Sequence, residues 1–322
     1  MKMNKFRYSK FKGISKNVIA RSEATKQSSL LFQKRDCFAA LAMTKYFAAL
    51  TMTKCIFRGC LKFWLAVLLF AFCIPNFVYA TPSTHIWAPS TDIQPYGKIH
   101  LTADYYFPVK SRDNAGNKTY VQQVYGPTFS LFSDKPEENL LGKIWSPLGK
   151  VMAEIGFDYK RGFGPILDTY PLYGHFKFGV PEDAYFKGMP AFAAGMYDIG
   201  YKHNITNNNI AYFKAAKTIS VGKLNLGRFS AGYFTGNSKL LLDENGNSDN
   251  SGPMLAWERT MSEISDKLWL CIDYQGTRSS YGAMNYGLSY KFTDSVSVIF
   301  GYDKYNNPDL SDTMTLQFDI DF

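Results

Sequence analysis

The sequence predicts an all-β fold, an antiparallel up-and-down transmembrane β-barrel of about twelve strands. Three observations carry this. From Gly97 to the C-terminus, apolar and polar residues alternate with period two, which sends one kind to each face of a strand. The alternating runs are long for soluble strands, which typically have roughly 5–6 residues, and close to the span of a tilted membrane strand. A stretch with the layout of an export signal precedes them.

Five strands are plain. Ile99, Leu101, Ala103, Tyr105 and Phe107 interleave with Lys98, His100, Thr102, Asp104 and Tyr106. Val151 to Tyr159 alternates with Met152, Glu154, Gly156, Asp158 and Lys160. Leu268, Leu270, Ile272 and Tyr274 alternate with Trp269, Cys271 and Asp273, and Met284 to Phe292 with Asn285, Gly287, Ser289 and Lys291. Met314, Leu316, Phe318, Ile320 and Phe322 close the chain against Thr315, Gln317, Asp319 and Asp321. A helix would scatter these charges around its circumference. Weaker runs near 120–131, 171–180, 190–200, 208–217, 225–235, 253–260 and 295–303 complete twelve. Turn formers such as Asn114-Ala-Gly-Asn117, Asn245-Gly-Asn247 and Asn306-Asn-Pro308 separate them.

Alternation alone does not tell a soluble sandwich from a membrane barrel, because each has one apolar face. The apolar rows end in aromatics (Tyr105/Phe107, Phe157/Tyr159, Tyr290/Phe292), as an interfacial girdle requires. The opposite rows mix small residues with charges (Glu154, Gly156, Asp158; Gly287, Ser289, Lys291), which suits a lumen. An even strand number places both termini in the periplasm and the loops after odd strands outside. The 132–149 stretch fits poorly, since it becomes a long periplasmic connection. A misplaced strand pair, a short helix and a segment folded into the lumen are the readings open for it.

The chain has 322 residues and a formal charge of +9. Residues 1–80 hold 14 Lys and Arg against Glu23 and Asp36, whereas residues 81–322 hold 22 Lys and Arg against 25 Asp and Glu. The basic excess thus belongs to the first quarter, which argues against a nucleic-acid-binding body. Within that quarter, residues 54–80 read as a signal peptide. Lys54, Arg58 and Lys62 form its basic end, Phe63 to Cys73 its apolar core, and Val78-Tyr79-Ala80 a cleavage site at Ala80, before Thr81. Residues 1–53 read as a spurious or repeat-derived extension. Phe38-Ala-Ala-Leu-Ala-Met-Thr-Lys45 recurs as Phe47-Ala-Ala-Leu-Thr-Met-Thr-Lys54, and the region resembles peptides translated from dispersed bacterial repeats. Residues 81–322 form the barrel. Cys271 alone remains beyond residue 80, which leaves no intramolecular disulfide and no cysteine metal site there.

The closing Met314-x-Leu-x-Phe-x-Ile-x-Phe322 resembles the C-terminal strand of bacterial outer-membrane barrels. The resemblance implies an outer-membrane location, a lipid bilayer around the barrel, and recognition of Phe318, Ile320 and Phe322 by the barrel-assembly machinery. The whole 81–322 body, with Trp87-Ala-Pro-Ser-Thr-Asp-Ile-Gln-Pro-Tyr-Gly97 ahead of the first strand, is similar to exported barrels that bring no activity with them.

Candidate lumen residues are His100, Asp104, Glu154, Asp158, Lys160, His175, Lys177, Lys214, Asp273, Lys291, Asp319 and Asp321. As a polar ring they would select small solutes by charge and size; as interior salt bridges they would only hold a narrow barrel shut. The expected function is porin-like passage of small polar solutes without a cofactor. A closed surface-interaction barrel is the alternative, and a membrane-embedded hydrolase a third reading. The last requires a His, a Ser or Asp and a third polar group within hydrogen-bond reach at one rim, and no Gly-x-Ser-x-Gly motif is present. The loop Asp243-x-Asn245-x-Asn247-x-Asp249 spaces oxygens as a calcium loop does, but lacks the glycine and glutamate such a loop needs. No close-spaced histidine pair suggests another metal, and a nucleic-acid partner is not expected.

Overall fold

The computed structural model describes residues 83–322, apart from Asp134 and Lys223. The extension, the signal segment and the cleavage position Ala80 lie outside the described residues. Twelve strands form a closed antiparallel barrel in which each pairs with its sequence neighbours and the first pairs with the last. They are β1 (Ile99–Pro108), β2 (Gln122–Ser130), β3 (Met152–Arg161), β4 (Leu172–Val180), β5 (Ala191–Gly200) and β6 (Ile210–Val221), followed by β7 (Leu224–Thr235), β8 (Ser251–Thr260), β9 (Leu268–Gln275), β10 (Ala283–Thr293), β11 (Val296–Tyr305) and β12 (Thr313–Asp321).

Closure follows from the alternation. Along the β1–β12 seam, Leu101 faces Ile320, Ala103 faces Phe318 and Tyr105 faces Leu316, while His100 faces Asp321, Thr102 faces Asp319 and Asp104 faces Gln317. Sliding β12 by one residue would turn the acids toward lipid, so the register is strongly specified. The Phe322 and Ile99 backbones exchange two hydrogen bonds, at 3.0 and 3.3 Å, so the last residue completes the ring.

The barrel is apolar outside and polar inside. Ile155, Phe157, Phe178, Phe213, Leu255, Leu288 and Phe300 are exposed, whereas Glu154, Lys177, Lys214, Asp273 and Asp319 are buried. That inversion is the arrangement of a transmembrane barrel in an outer membrane. Phe107, Phe157 and Tyr159 stand at one end of the outer wall, and Tyr290 and Phe292 at the other, each exposed where a girdle meets the headgroups. The 132–149 connection contains a short helix, α1 (Leu140–Ile144), followed by a 3-10 turn at Ser146–Lys150. Asn139 organises it. Its Oδ1 accepts from the Leu141 and Gly142 N–H groups, and its Nδ2 donates to the Ser133 and Val151 carbonyls. The helix therefore stays outside the lumen, and a different segment enters it.

Residues 83–98 run into the barrel. Ile86, Ala88, Ile93, His85, Ser90 and Gln94 are buried there. Ile86 packs with Cys271 and Ile299, and Ala88 with Ile210, Tyr212, Phe234, Leu241 and Met254. The wall makes room for Ile86 through a glycine pair. Gly287 and Gly301 face each other on β10 and β11, and an added Cβ would come within 2.8 Å and 3.1 Å of the Ile86 side chain. The small inward residues of β10 thus accommodate chain rather than solvent.

Candidate functional site: a plugged lumen with an outward vestibule

The wall holds the inserted segment with buried charges. The Asp273 carboxylate accepts the Ile86 N–H at 2.7 Å and the Trp87 N–H at 3.0 Å through one oxygen, and Asn285 Nδ2 at 2.5 Å through the other. Glu154 accepts from Ser83 Oγ and from the Gln94 N–H, and pairs with Lys177 at 3.0 Å. Lys177 in turn donates to the Ser83 carbonyl at 2.8 Å. Gln94 Nε2 reaches Asp321 at 2.9 Å, and Gln317 Nε2 donates to the Ile86 carbonyl at 2.7 Å. Lys214, fully buried, donates to the Pro89 carbonyl and lies 3.0 Å from His85 Nδ1, with both contacts at that distance. Arg228 binds Asp92 at 2.7 Å and Thr91 at 2.6 Å. Charges withdrawn from water are tolerable only when partnered this fully.

Beside the segment remains a cavity of about 680 Å³. It reaches from the β1–β2, β3–β4 and β11–β12 loops (Tyr120, Phe163, Leu310) down to His100, Glu154 and Lys177. Thr102, Asp104, Asp158, Tyr173, His175, Tyr197 and Tyr281 line it, with Trp87 of the inserted segment. The loops named follow odd-numbered strands, so the cavity opens toward the outside face.

Three polar clusters shape the cavity wall. His100 Nδ1 lies 2.8 Å from Asp321 and its Nε2 3.3 Å from Asp319. His175 lies between Asp158, 3.3 Å from Nδ1, and Thr128 Oγ1, 3.0 Å from Nε2. Lys160 binds Asp198 at 2.5 Å and sits over the Tyr173 ring, 5.0 Å from its centroid. The Tyr281 hydroxyl donates to Asp198 and accepts from Asn208 Nδ2 at 2.7 Å. Burial and then the Asp198 charge push the Tyr281 phenol well above its ordinary value, so it remains a donor.

The twelve sequence candidates therefore divide by position. Glu154, Lys177, Lys214, Asp273 and Asp321 grip the inserted segment, and Asp104, Asp158, Lys160 and His175 face the cavity. His100 lines the cavity and pairs with Asp321, and Asp319 contacts His100 Nε2 at 3.3 Å. Lys291 is set apart, 3.4 Å from Asp294 at the β10–β11 turn. Sequence reasoning missed Arg228, Glu258, Asp198, Tyr281 and Trp87. Arg228 and Glu258 are register partners on β7 and β8, within 3.6 Å of each other. For Trp87 the signal was the apolar content of 86–93 (Ile86, Trp87, Ala88, Ile93), too high for an exposed lead-in.

In the β7–β8 loop, Asp243 accepts the Asn245 and Asn247 N–H groups at 2.9 and 2.8 Å, and Asp249 accepts the Arg278 N–H. Asp243 thus caps its own turn, and Asp249 ties the loop to the β9–β10 connection. No group of three or more metal-ligating side chains occurs among the described residues.

No protein-family model matches the sequence, and no curated protein matches it. Solved structures of bacterial outer-membrane proteins align with it at low similarity. An outer membrane channel from Pseudomonas putida F1 aligns with TM-score 0.39 and 8% identity over 75% of this chain and 99% of that one. OprB of Pseudomonas putida aligns with TM-score 0.34 and 10% identity over 70% and 93%. Outer membrane phospholipase A from Escherichia coli aligns with TM-score 0.35 and 12% identity over 72% and 94%. Similarity this distant transfers no function, and the assignment of a transmembrane barrel rests on the closed sheet and its inverted polarity.

Proposed function

We propose that this barrel is an outer-membrane channel for small polar solutes that rests closed, with residues 83–98 as its plug and the outward cavity as its solute vestibule. The plug's attachment carries the reading. It is held mainly by hydrogen bonds and ion pairs that water can replace, and a solute-sized cavity stands directly beside it. Purified protein in planar bilayers should conduct in rare, brief openings. Asp273→Ala removes the acceptor for the Ile86 and Trp87 N–H groups and should raise open probability. A variant that never conducts refutes the channel and leaves the second reading, a permanently closed barrel acting through its outer surface. The number of buried hydrogen bonds and ion pairs that hold the plug favours that alternative.

The Thr128–His175–Asp158 chain favours a third reading, hydrolysis. Thr128 is almost fully buried within β2, where a substrate carbonyl has little access to its hydroxyl. The channel reading expects no His175-dependent hydrolysis of chromogenic esters, and such activity would install the hydrolase.

Two further assignments belong to the same proposal. Ser83, three residues beyond Ala80, is held inside the lumen by Glu154 and Lys177. Cleavage after Ala80 is the processing that suits this position, with 54–80 the signal and 1–53 dispensable. Phe318, Ile320 and Phe322, on the closing strand, are the residues we assign to recognition by the barrel-assembly machinery.

A further inference from the structure

Most acids of the vestibule have a basic partner. Asp158 meets His175, Asp198 meets Lys160, and Glu154 meets Lys177. Asp104 differs. Its carboxylate accepts a hydrogen bond from Thr102 Oγ1 at 2.7 Å, and among the described residues it has no cationic partner within ion-pair distance. Asp104 and Tyr106 are two residues apart on β1, so both project inward. Trp87 packs edge-on against Tyr106, with ring centroids 5.5 Å apart, and against Tyr305 at 5.7 Å. All four side chains line the cavity.

The chain itself illustrates what this wall accommodates. The Lys160 ammonium sits in a nearby combination of the same groups, with the Asp198 carboxylate at 2.5 Å and the Tyr173 and Phe163 ring centroids at 5.0 and 5.6 Å. An ammonium held between a carboxylate and aromatic faces is attracted by both the charge and the ring quadrupoles, and quaternary ammonium ligands are recognised in such cages. At Asp104 the carboxylate and the rings are present, and among the described residues none supplies the cation.

We propose that the vestibule binds a small organic cation, an amine or quaternary ammonium compound, with its charge against Asp104 and its alkyl groups on Trp87, Tyr106 and Tyr305. The inference deepens the vestibule reading but does not require passage through the barrel. The test titrates choline, whose charge is independent of pH, into the refolded full-length barrel at pH 8.5, by calorimetry and by tryptophan fluorescence. Glucose and acetate are the neutral and anionic comparisons. Choline should bind saturably and quench fluorescence, and the comparisons should not bind. Asp104→Asn should weaken choline binding at least tenfold while heat-modifiable migration stays normal, and Asp104→Glu should keep it within a few-fold. Trp87→Phe should remove most of the quenching while calorimetry still registers binding. Failure of choline to bind, equal binding of glucose, or an Asp104→Asn variant of unchanged affinity overturns the proposal. A barrel that binds choline but never conducts upholds it and removes the channel reading.

Discussion

Replacing Ile86 with alanine separates the plug from the barrel that holds it. Ile86 is 1% exposed and lies against Cys271, Ile299 and the glycine pair on β10 and β11. Truncating a buried isoleucine to alanine costs about 2–5 kcal/mol, the spread reflecting how far the site collapses. The strands around Ile86 keep their ladder hydrogen bonds, so they cannot close fully on the space, and the cost falls on docking of the plug. At about 1.4 kcal/mol per tenfold, a loss of about 2–5 kcal/mol weakens docking roughly 30- to 4,000-fold. The assay is single-channel recording in planar bilayers, paired with limited proteolysis within residues 83–98. Ile86→Ala should open far more often than the parent and should be cut faster in that segment, while the barrel keeps its heat-modifiable migration. Unchanged open probability together with unchanged protection would refute the idea that the segment is a removable plug.

Three further outcomes follow from the same contacts. Glu154→Gln leaves the buried Lys177 ammonium without its carboxylate, which should cost about 3–5 kcal/mol and lower the temperature at which the barrel band converts on gels. The double variant Glu154→Gln/Lys177→Met should recover much of that loss, and a double variant as unstable as the single one would contradict the pairing. In the β7–β8 loop, the Asn247 backbone N–H holds the Asp243 carboxyl below its ordinary value. A depressed carboxyl contributes stability above its unfolded value, about 3.9, and loses it as pH falls through the lower folded one. The Asn247 amide resonance should therefore stay constant from pH 8 to about pH 5 and move only below about pH 4; a midpoint above pH 4 would be inconsistent with that turn. Deleting Phe322 removes two backbone bonds to Ile99 and should sharply reduce the folded band in outer-membrane fractions, whereas wild-type yield would exclude a role in assembly.

The strand pattern was legible because it is local. Period-two alternation in Ile99–Phe107 or Met314–Phe322 is read from each residue's own neighbours, and it sorts apolar and polar residues onto opposite faces. The same parity placed Glu154, Lys177 and Asp273 on the inner face. Parity does not say what those side chains meet, because a water-filled lumen and a plugged one need the same polar row. Segment 132–149 looked like a candidate for the interior by its length, yet Asn139 and a short helix keep it outside. The segment that enters is ahead of the first strand, where no periodicity marks it.

By itself, therefore, the sequence determined a twelve-stranded barrel, its inward and outward rows, and its closing strand. The tertiary structure decided that a segment of the chain occupies part of the lumen, that Asp273 receives the Ile86 and Trp87 amides, and that Asp104 stands beside an aromatic cluster with no cationic partner among the described residues. The physical reason is separation along the chain. Ile86 and Asp273 stand 187 residues apart and Gln94 and Asp321 stand 227 apart. Such contacts arise only after the closed sheet has created an interior for the segment to occupy.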